Sequence, residues 1–465
     1  MGTREVRDTM GAMSVPADAY YGAQTARAVR NFPLSGLRAH PELIRALAAI
    51  KLAAARANAE LGLIEPDAAR AIAQAAREIM DGGLREQFVV DAFNAGAGTS
   101  LHMNANEVIA SRANEILGFG RGDRARVHPN DHVNFGQSTN DVIPTAIRLA
   151  GLCGALKLAA AADGCGAACA RRAAEFDDVV KAGRTHLQDA VPMRLGQEFG
   201  AWGTTFARWA GRVRAAVDEL RELGLGGSAA GTGLNTHPRY RSRAVAELST
   251  LYGEPFRPAD DLFEAMQSMA PAVQLMSTAR GLALDALRIT NDLRLLASGP
   301  RTGLAEISLP AVQPGSSIMP GKVNPVILES TAMVCYQVVG CDAALAAASA
   351  AGQLELNVMM PAIAFSLLFA LDLLGNALTS LRVRCLDGIT ANVDRCRMYA
   401  ENSVSLATIL NPVVGYERAA ELVKRAVESG RGLREVVEES GYLTPEQVAE
   451  VFDLRRWTEP GVLGG

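Results

Sequence analysis

Five long segments with helical hydrophobic periodicity constrain this chain more than any other feature of its sequence. Each of them exceeds 20 residues, and they cover 143–176, 193–223, 272–297, 326–351 and 362–383. A helix of about 27 residues is roughly 40 Å long, which few globular domains of ordinary size require. Strand-like alternation is rare along the chain. The sequence therefore predicts a mainly α-helical protein built around a bundle of unusually long helices.

Several of these helices are apolar on more than one face. The segment 345–351 reads LAAASAA, and only its serine side chain can form hydrogen bonds with water. A helix that is apolar all round is buried in a protein or packed in an oligomer. We therefore favour subunits that share a helical core over one large monomeric bundle. The apolar stretch 149–162 is interrupted by Lys157 and falls short of the roughly 20 residues that span a bilayer, so no membrane segment is expected.

Charge and cysteine content exclude several classes of function. The chain has 46 Lys and Arg residues and 50 Asp and Glu residues. It therefore lacks the excess of positive charge expected of a nucleic-acid-binding protein. The N-terminus is charged from the start with no apolar run behind it, and no signal peptide is expected. The seven cysteines include no C-x-x-C pair. These features predict reduced thiols, a cytoplasmic protein, and neither a metal centre nor a cofactor.

Four short polar clusters lie near predicted helix ends. They are rich in Gly, Ser, Thr, Asn and His and cover 96–100, 136–141, 183–186 and 315–317. Backbone N–H groups and hydroxyls at a helix N-terminus bind anions. A single cluster of this kind is ordinarily a helix cap. Four clusters with the same chemistry favour a small polyanionic ligand.

The most informative segment, 315–325, reads GSSIMPGKVNP. Two glycines and two prolines within it forbid a regular helix or a central strand, so the segment is predicted to be a shaped loop. It contains Lys322, one of only five lysines in a chain that otherwise uses arginine as its cation. A lysine in this context indicates a site that requires a compact point charge.

The segment 315–325 resembles the signature of the aspartase/fumarase superfamily. Further resembling segments follow in family order over essentially the whole chain: 15–25, 96–113, 128–141, 183–199, 231–235 and 298–306. The resemblance implies a mainly α-helical subunit of three domains. These are an N-terminal helical domain (1–141), a central five-helix bundle (142–395) and a small C-terminal helical domain (396–465). It also implies a homotetramer with a 20-helix core, in which three subunits share each active site.

The resemblance further implies a reversible anti elimination from a small dicarboxylate with a succinyl skeleton, giving fumarate. The predicted catalytic residues are Ser316 as the base, Lys322 and His186. The elimination passes through a dianionic aci-carboxylate, which requires preorganised donors around one carboxylate. The predicted substrate-binding residues are Thr99, Ser100, Ser138, Thr139, Asn140, Thr185, Lys322 and Asn324. A serine acts as a base only if its pKa is strongly lowered, and nearby backbone N–H groups with Lys322 would achieve this.

Two further residues are expected to support the site. Glu329 matches the acidic partner that the family places against the histidine, and it would raise the pKa of His186 and orient its ring. His102 stands where the family usually carries Asn. His128 and His132 resemble the family's second, peripheral anion site, and neither is expected to be catalytic.

The leaving group is indicated by segments that resemble two different enzymes of the superfamily. Five segments resemble aspartases and favour L-aspartate as the substrate of a carbon–nitrogen lyase: 96–99, 137–141, 187–189, 353–361 and 388–392. The segments 415–419 and 441–444 resemble fumarases, which would act on L-malate. A lyase that releases a substituted amine or nitrite remains a third alternative. A catalytically inactive structural paralogue is the fourth, and the intact set of predicted site residues argues against it.

Overall fold

The computed structural model describes residues 2–462 and is mainly α-helical. The described residues form 16 α-helices: α1 (Ala23–Asn31), α2 (Pro41–Glu60), α3 (Pro66–Met80), α4 (Thr99–Ile116), α5 (Thr139–Glu175), α6 (Leu195–Ala216), α7 (Tyr240–Tyr252), α8 (Leu262–Gln267), α9 (Ala270–Leu296), α10 (Val326–Ala350), α11 (Met360–Arg384), α12 (Val393–Asn402), α13 (Ala407–Val414), α14 (Tyr416–Ser429), α15 (Leu433–Ser440) and α16 (Pro445–Val451). Short 3-10 turns connect several of them. The predicted fold class is therefore confirmed.

In the described part of the chain, eight short strands pair into four two-stranded sheets. They are β1 (Thr3–Asp8), β2 (Gly11–Pro16), β3 (Val180–Thr185), β4 (Gln188–Arg194), β5 (Glu222–Leu223), β6 (Arg257–Pro258), β7 (Ile307–Ser308) and β8 (Thr390–Ala391). The β5–β6 pair is parallel, and the other three pairs are antiparallel. The hairpin of β3 and β4 carries two predicted site residues, Thr185 and His186, at its turn.

The five long predicted helices are present as α5, α6, α9, α10 and α11. The boundaries predicted for the second of them, 193–223, were wrong at both ends. Met193 and Arg194 belong to β4, where they pair with Lys181 and Val180. At the other end, Glu222 pairs with Arg257 in β5–β6. These residues continue the helical hydrophobic periodicity, but they form strands because they pair with another segment. Periodicity alone gives no information about such a partner strand.

The described residues fall into two compact units. The first comprises the described residues up to 160 together with 210–283 and 335–375. The second comprises 161–209, 284–334 and the described residues from 376 onwards. Each of the five long helices contributes residues to both units, so the three predicted domains stay a prediction. The C-terminal helices have a hydrophobic core of their own, formed by residues such as Leu406, Leu410, Leu422, Leu433, Val437 and Val451.

Glycines allow the long helices to pack closely within each unit. In the first unit, a Cβ added to Gly151 of α5 would lie 3.3 Å from the side chain of Leu367 on α11. In the second unit, a Cβ on Gly166 of α5 would lie 3.3 Å from the carbonyl oxygen of Gly203 on α6. These distances leave little room for a side chain, so glycine at these positions sets how near the helix backbones lie.

Among residues 2–462, three helices are long and apolar enough to cross a membrane by length and composition, contrary to the sequence-based expectation of none. The apolar window of α5 is 83% buried inside the chain, whereas that of α10 is only 33% buried. On α10, Met333, Tyr336 and Val339 are exposed at intervals of three residues and lie on one helical face. This helix therefore presents an uncovered apolar face on a single chain.

Candidate active site

The first group of predicted site residues lies at the start of two helices in the first unit. We call it the anchored cluster, and it contains Thr99, Ser100, Ser138, Thr139 and Asn140. Thr99 begins α4 and Thr139 begins α5. Gly98 turns the chain into α4 with a φ of 84°, a left-handed conformation that favours glycine. Thr99 is exposed and the other four members are half-buried, so hydroxyls and helix N-termini are accessible to an anion.

Asp141 holds the start of α5 against a glycine-rich loop of the same unit. Its buried carboxylate accepts hydrogen bonds from the backbone N–H groups of Ser138 at 2.9 Å, Gly226 at 2.9 Å and Ser228 at 3.1 Å. The side-chain amide of Asn140 donates to the carbonyl oxygen of Ala229 at 2.8 Å. Burial raises the pKa of Asp141 to about 6, although the three N–H donors oppose this. Asp141 thus fixes the backbone that carries the anchored cluster.

His102 connects the anchored cluster to a buried lysine. Its Nδ1 lies 2.8 Å from Thr139 Oγ1, and its Nε2 lies 2.6 Å from Lys51 Nζ. His102 is on α4, one turn after Thr99, so this contact joins the first turns of α4 and α5. His102 is therefore placed beside a predicted substrate-binding residue. The sequence analysis did not find Lys51 or Asp141, although the scarcity of lysine was a usable signal for Lys51.

The second group of predicted site residues lies in the second unit, on residues 315–325, which we call the signature loop. The loop closes on itself: Gly315 N–H donates to the carbonyl oxygen of Lys322 at 2.8 Å, and the Asn324 side-chain amide donates to the carbonyl oxygen of Gly315 at 2.6 Å. A Cβ on Gly315 would lie 2.5 Å from the Lys322 carbonyl oxygen. Only glycine permits this closure.

The hydroxyl oxygen of Ser316 accepts hydrogen bonds from two backbone N–H groups. They are the N–H groups of Ile318 at 3.2 Å and Met319 at 3.0 Å. Donors aimed at a hydroxyl oxygen favour its ionised form. Lys322 lies six residues further on in the same loop. The loop therefore carries a half-buried serine whose oxygen is prepared for negative charge.

A cleft of the second unit runs beside the signature loop. It is lined by Lys322, Asn324, Glu329, Ser298 and Asn392, among others. The Lys322 side chain is exposed and has no hydrogen bond or ion pair within residues 2–462. Its ammonium group is thus available to a carboxylate ligand.

Thr185 and His186 lie at the exposed end of the β3–β4 hairpin. His186 and Leu187 form the two-residue turn with φ values of 55° and 59°, the left-handed combination of a type I′ turn. Such backbone is strained for residues other than glycine and is frequent at functional sites. Along β3, Lys181 and Arg184 contact the buried carboxylate of Glu306 at 3.0 and 2.8 Å. An ion pair therefore fixes the strand that presents His186.

The predicted pairing of His186 with Glu329 is not formed within one described chain, where no ion pair joins the two side chains. Across residues 2–462, no three His, Cys, Asp or Glu side chains come together in a way that would hold a metal ion. All seven cysteines are free thiols.

Comparisons with known proteins identify the family of the chain. The chain matches the model of a lyase family over residues 11–340 and that of the fumarase C C-terminus over residues 406–459. An aspartate ammonia-lyase of Pseudomonas fluorescens is 50% identical over 452 residues, which cover 97% of this chain and 95% of that protein. A class II fumarate hydratase of Halobacterium salinarum is 48% identical over 470 residues, covering 99% of this chain and 98% of that protein.

Solved structures give the same result. A fumarate lyase:delta crystallin of Brucella melitensis, bound to cobalt, is 49% identical with a TM-score of 0.95, covering 99% of this chain and 100% of that chain. A class II fumarase of Schistosoma mansoni is 36% identical, also with a TM-score of 0.95, over 99% of this chain and 100% of that chain. The matched residues include both the anchored cluster and the signature loop. The chain therefore belongs to the aspartase/fumarase superfamily of lyases.

Proposed function

We propose that this chain is a carbon–nitrogen lyase that converts L-aspartate reversibly into fumarate and ammonia in the cytoplasm. The observation that carries the proposal is the signature loop, in which Ser316 Oγ accepts two backbone N–H bonds while Lys322 remains free for a carboxylate. The relatives named aspartate ammonia-lyase support ammonia as the leaving group.

Ser316 acts as the base in this proposal. In its ionised form it takes a proton from Cβ, and the electron pair of the broken C–H bond moves into the adjacent carboxylate to give a dianionic aci-carboxylate. The N–H groups of Ile318 and Met319 support the ionised serine. Lys322 and Asn324 stabilise carboxylate charge that increases along the reaction, which is where preorganised donors contribute most.

The anchored cluster binds the substrate in the same proposal. The hydroxyls of Thr99, Ser100, Ser138 and Thr139 and the amide of Asn140 contact the substrate's polar groups, and the N-termini of α4 and α5 favour its negative charge. Thr185 and His186 contact it from the hairpin turn. The carbon–nitrogen bond breaks as the double bond forms, and the ammonium group leaves as ammonia. This leaving group requires no acid, in contrast to hydroxide.

We also propose that the chain works as a homotetramer in which three subunits contribute to each site. The exposed Met333, Tyr336 and Val339 of α10 support this, because other copies would cover their apolar surface. The pairing of His186 with Glu329 is then a contact between copies. Light scattering on the purified protein should show an active tetramer, and an active monomer near 49.1 kDa would contradict the shared core.

A fumarate hydratase is the second candidate function. The Halobacterium salinarum relative, which matches 99% of this chain, favours it, as do the fumarase-like segments 415–419 and 441–444. A lyase that releases a substituted amine or nitrite is a third candidate, favoured by His102, which stands where the family usually has Asn.

One experiment separates these functions. The purified protein is incubated with L-aspartate or L-malate, and fumarate is followed by its ultraviolet absorbance. In the reverse direction, fumarate is supplied with ammonium, with water alone or with nitrite, and the adduct is identified. Faster turnover of aspartate supports the proposal, whereas faster turnover of malate establishes the hydratase. A Ser316→Ala protein serves as the inactive control.

A further inference from the structure

The contact between His102 and Lys51 has no role in the chemistry proposed above. Both side chains are buried, with exposed fractions of 1% and 0%. A lysine is almost never fully buried unless its ammonium group is paired. Three atoms lie within hydrogen-bond distance of Lys51 Nζ: His102 Nε2 at 2.6 Å, Asn134 Oδ1 at 2.9 Å and Gln137 Oε1 at 2.9 Å.

The partners of Lys51 are all acceptors. The Asn134 amide nitrogen donates to the carbonyl oxygen of Gln137, and the Gln137 amide nitrogen donates to the carbonyl oxygen of Val133. The amide oxygens of both side chains are therefore left to face Lys51. An ammonium group has three N–H donors, so the third one points to His102 Nε2. Burial lowers the pKa of His102 well below its ordinary value, and the charge of Lys51 lowers it further.

When Lys51 is protonated, these contacts determine the direction of the next hydrogen bond. In a neutral imidazole one ring nitrogen is a donor and the other an acceptor. Because Nε2 accepts from Lys51, Nδ1 carries the proton and donates to Thr139 Oγ1 at 2.8 Å. The Thr139 hydroxyl proton is then free to donate to a ligand.

We propose that Lys51, His102 and Thr139 form a directional hydrogen-bond chain in which His102 is a positioning residue that holds Thr139 as a donor to the substrate carboxylate. The inference rests on the proposed function, because it assigns a carboxylate to Thr139. It goes beyond that function by giving a role to His102 and to a lysine outside the substrate site.

The hydrogen-bond chain from Lys51 through His102 to Thr139 can also have the opposite donor-to-acceptor direction. If Lys51 loses its proton, its lone pair accepts a bond from Nε2–H, and Nδ1 then accepts the Thr139 hydroxyl proton. Thr139 would present only lone pairs to the carboxylate, which would weaken binding. Burial lowers the pKa of Lys51 well below its ordinary value, and the charge of Asp141 opposes this. Burial raises the pKa of Tyr240 well above its ordinary value, and the charge of Asp141 raises it further, so this phenol stays neutral beside the chain.

Two substitutions of similar volume separate the two hydrogen bonds of the imidazole, one to Thr139 and the other to Lys51. An Asn amide reaches only the position of Nδ1, so His102→Asn retains a donor to Thr139. A Gln amide reaches only the position of Nε2, so His102→Gln retains the contact with Lys51 and leaves Thr139 without its donor. Binding of succinate, an unreactive dicarboxylate, is measured by calorimetry. His102→Asn should stay within about threefold of wild type, and His102→Gln should bind about tenfold more weakly.

A double-mutant cycle tests whether His102 acts through Thr139. In a Thr139→Val background, His102→Gln should weaken succinate binding no further. The matched control is Thr145→Val on the same helix. The buried hydroxyl of Thr145 donates to the carbonyl oxygen of Asp141 and is not part of the hydrogen-bond chain, so succinate affinity should not change.

Wild-type affinity for succinate should fall as the pH rises, and this dependence should be absent in His102→Gln. Thermal unfolding and light scattering confirm that each variant is folded and assembled.

The outcomes separate this inference from the proposed function. Equal weakening by His102→Asn and His102→Gln, or a full effect of His102→Gln in the Thr139→Val background, would mean that His102 only fills space, and the inference would be wrong. Failure of wild type to bind succinate would overturn it as well. If succinate binding follows the expected pattern but aspartate is not turned over, the hydrogen-bond chain stands and the proposed function fails.

Discussion

The anchored cluster and the signature loop contain similar residue types, yet they are organised by different forces. The cluster is held by buried charged and polar groups: Asp141 accepts three backbone N–H bonds, and Lys51 has three partners. The signature loop is half-buried at its two hydrogen-bonded ends and exposed over 317–323, and Lys322 extends from it without a partner among the described residues. One region is fixed by the interior of its unit, and the other is fixed mainly by its own backbone turns.

This difference suggests how the reaction is divided between the two regions. Under the proposed function, a substrate carboxylate bound by the anchored cluster meets donors that are already in place, at no cost of reorganisation. A catalytic base must be shielded from water during the reaction. A loop that closes over the bound substrate provides this shielding. We therefore expect substitutions in the loop to affect mainly the chemical step, and substitutions beneath the cluster to affect binding and stability.

The largest expected effect is that of Ser316→Ala. If the loop provides the base, kcat should fall by about 10³-fold or more while succinate affinity stays nearly normal, because the lost interaction belongs to the transition state. Steady-state rates and calorimetry check both values. Ser317→Ala, the same change at the next and exposed residue, is the control and should retain activity. A near-normal kcat for Ser316→Ala would remove this serine from the mechanism and move attention to His186.

The next effect is that of Lys322, which meets a carboxylate already charged in the ground state. Lys322→Ala should raise KM as well as lower kcat, each by about tenfold or more. Lys322→Arg should not restore either value, since a planar guanidinium is a poor substitute for a compact point charge in a tight loop. An arginine variant with wild-type kinetics would show that the site requires only positive charge.

A smaller effect isolates the shape of the loop. Gly315→Ala places a Cβ against the carbonyl oxygen of Lys322 and should open the loop, lowering kcat about tenfold. The melting temperature should change by less than about 2 °C, because the loop contributes little buried surface. Gly211→Ala on α6, where an added Cβ meets nothing within 4 Å, is the control and should change neither value. A large loss of stability in Gly315→Ala would contradict the view that the loop is organised locally.

The smallest effect concerns the pH dependence of the anchored cluster. Asp141→Asn should destabilise the protein, since an amide does not accept three N–H bonds as a carboxylate does. The pKa of Asp141 rises from 3.8 to about 6 on folding, so this group contributes stability below about pH 4 that is lost as the pH rises through 6. The destabilisation should therefore be larger at pH 5 than at pH 8, by about 1.4 kcal/mol, because only about one pKa unit of the shift lies above pH 5. Urea unfolding at a fixed protein concentration measures it, and the opposite trend would mean that the hydrogen bonds outweigh burial.

The sequence predicted the long helices well because each of them carries its own hydrophobic periodicity. The resemblance predicted Ser316 and the polar loops because motif residues are contiguous in the chain. The backbone donors to Ser316 follow from the same short segment, so local reasoning was sufficient for them as well.

The buried support of the site could not be predicted in the same way. Lys51, His102 and Gln137 come from three separate segments, and only folding brings their side chains together. The boundaries of α6 were missed for the same reason, since a short strand is defined by its partner. A residue whose contacts come from distant segments has few neighbours in sequence that indicate its role. For Lys51, the one indication was that the chain has only five lysines.

The most direct test of the account is the reverse reaction in heavy water. The protein is incubated with fumarate and ammonium in D2O, and the product is identified by proton nuclear magnetic resonance. We predict aspartate that carries one deuterium at Cβ in a single diastereomer, the one produced by anti addition, and no product from Ser316→Ala. Deuterated malate as the sole product, or aspartate labelled in both diastereomers, would contradict the account.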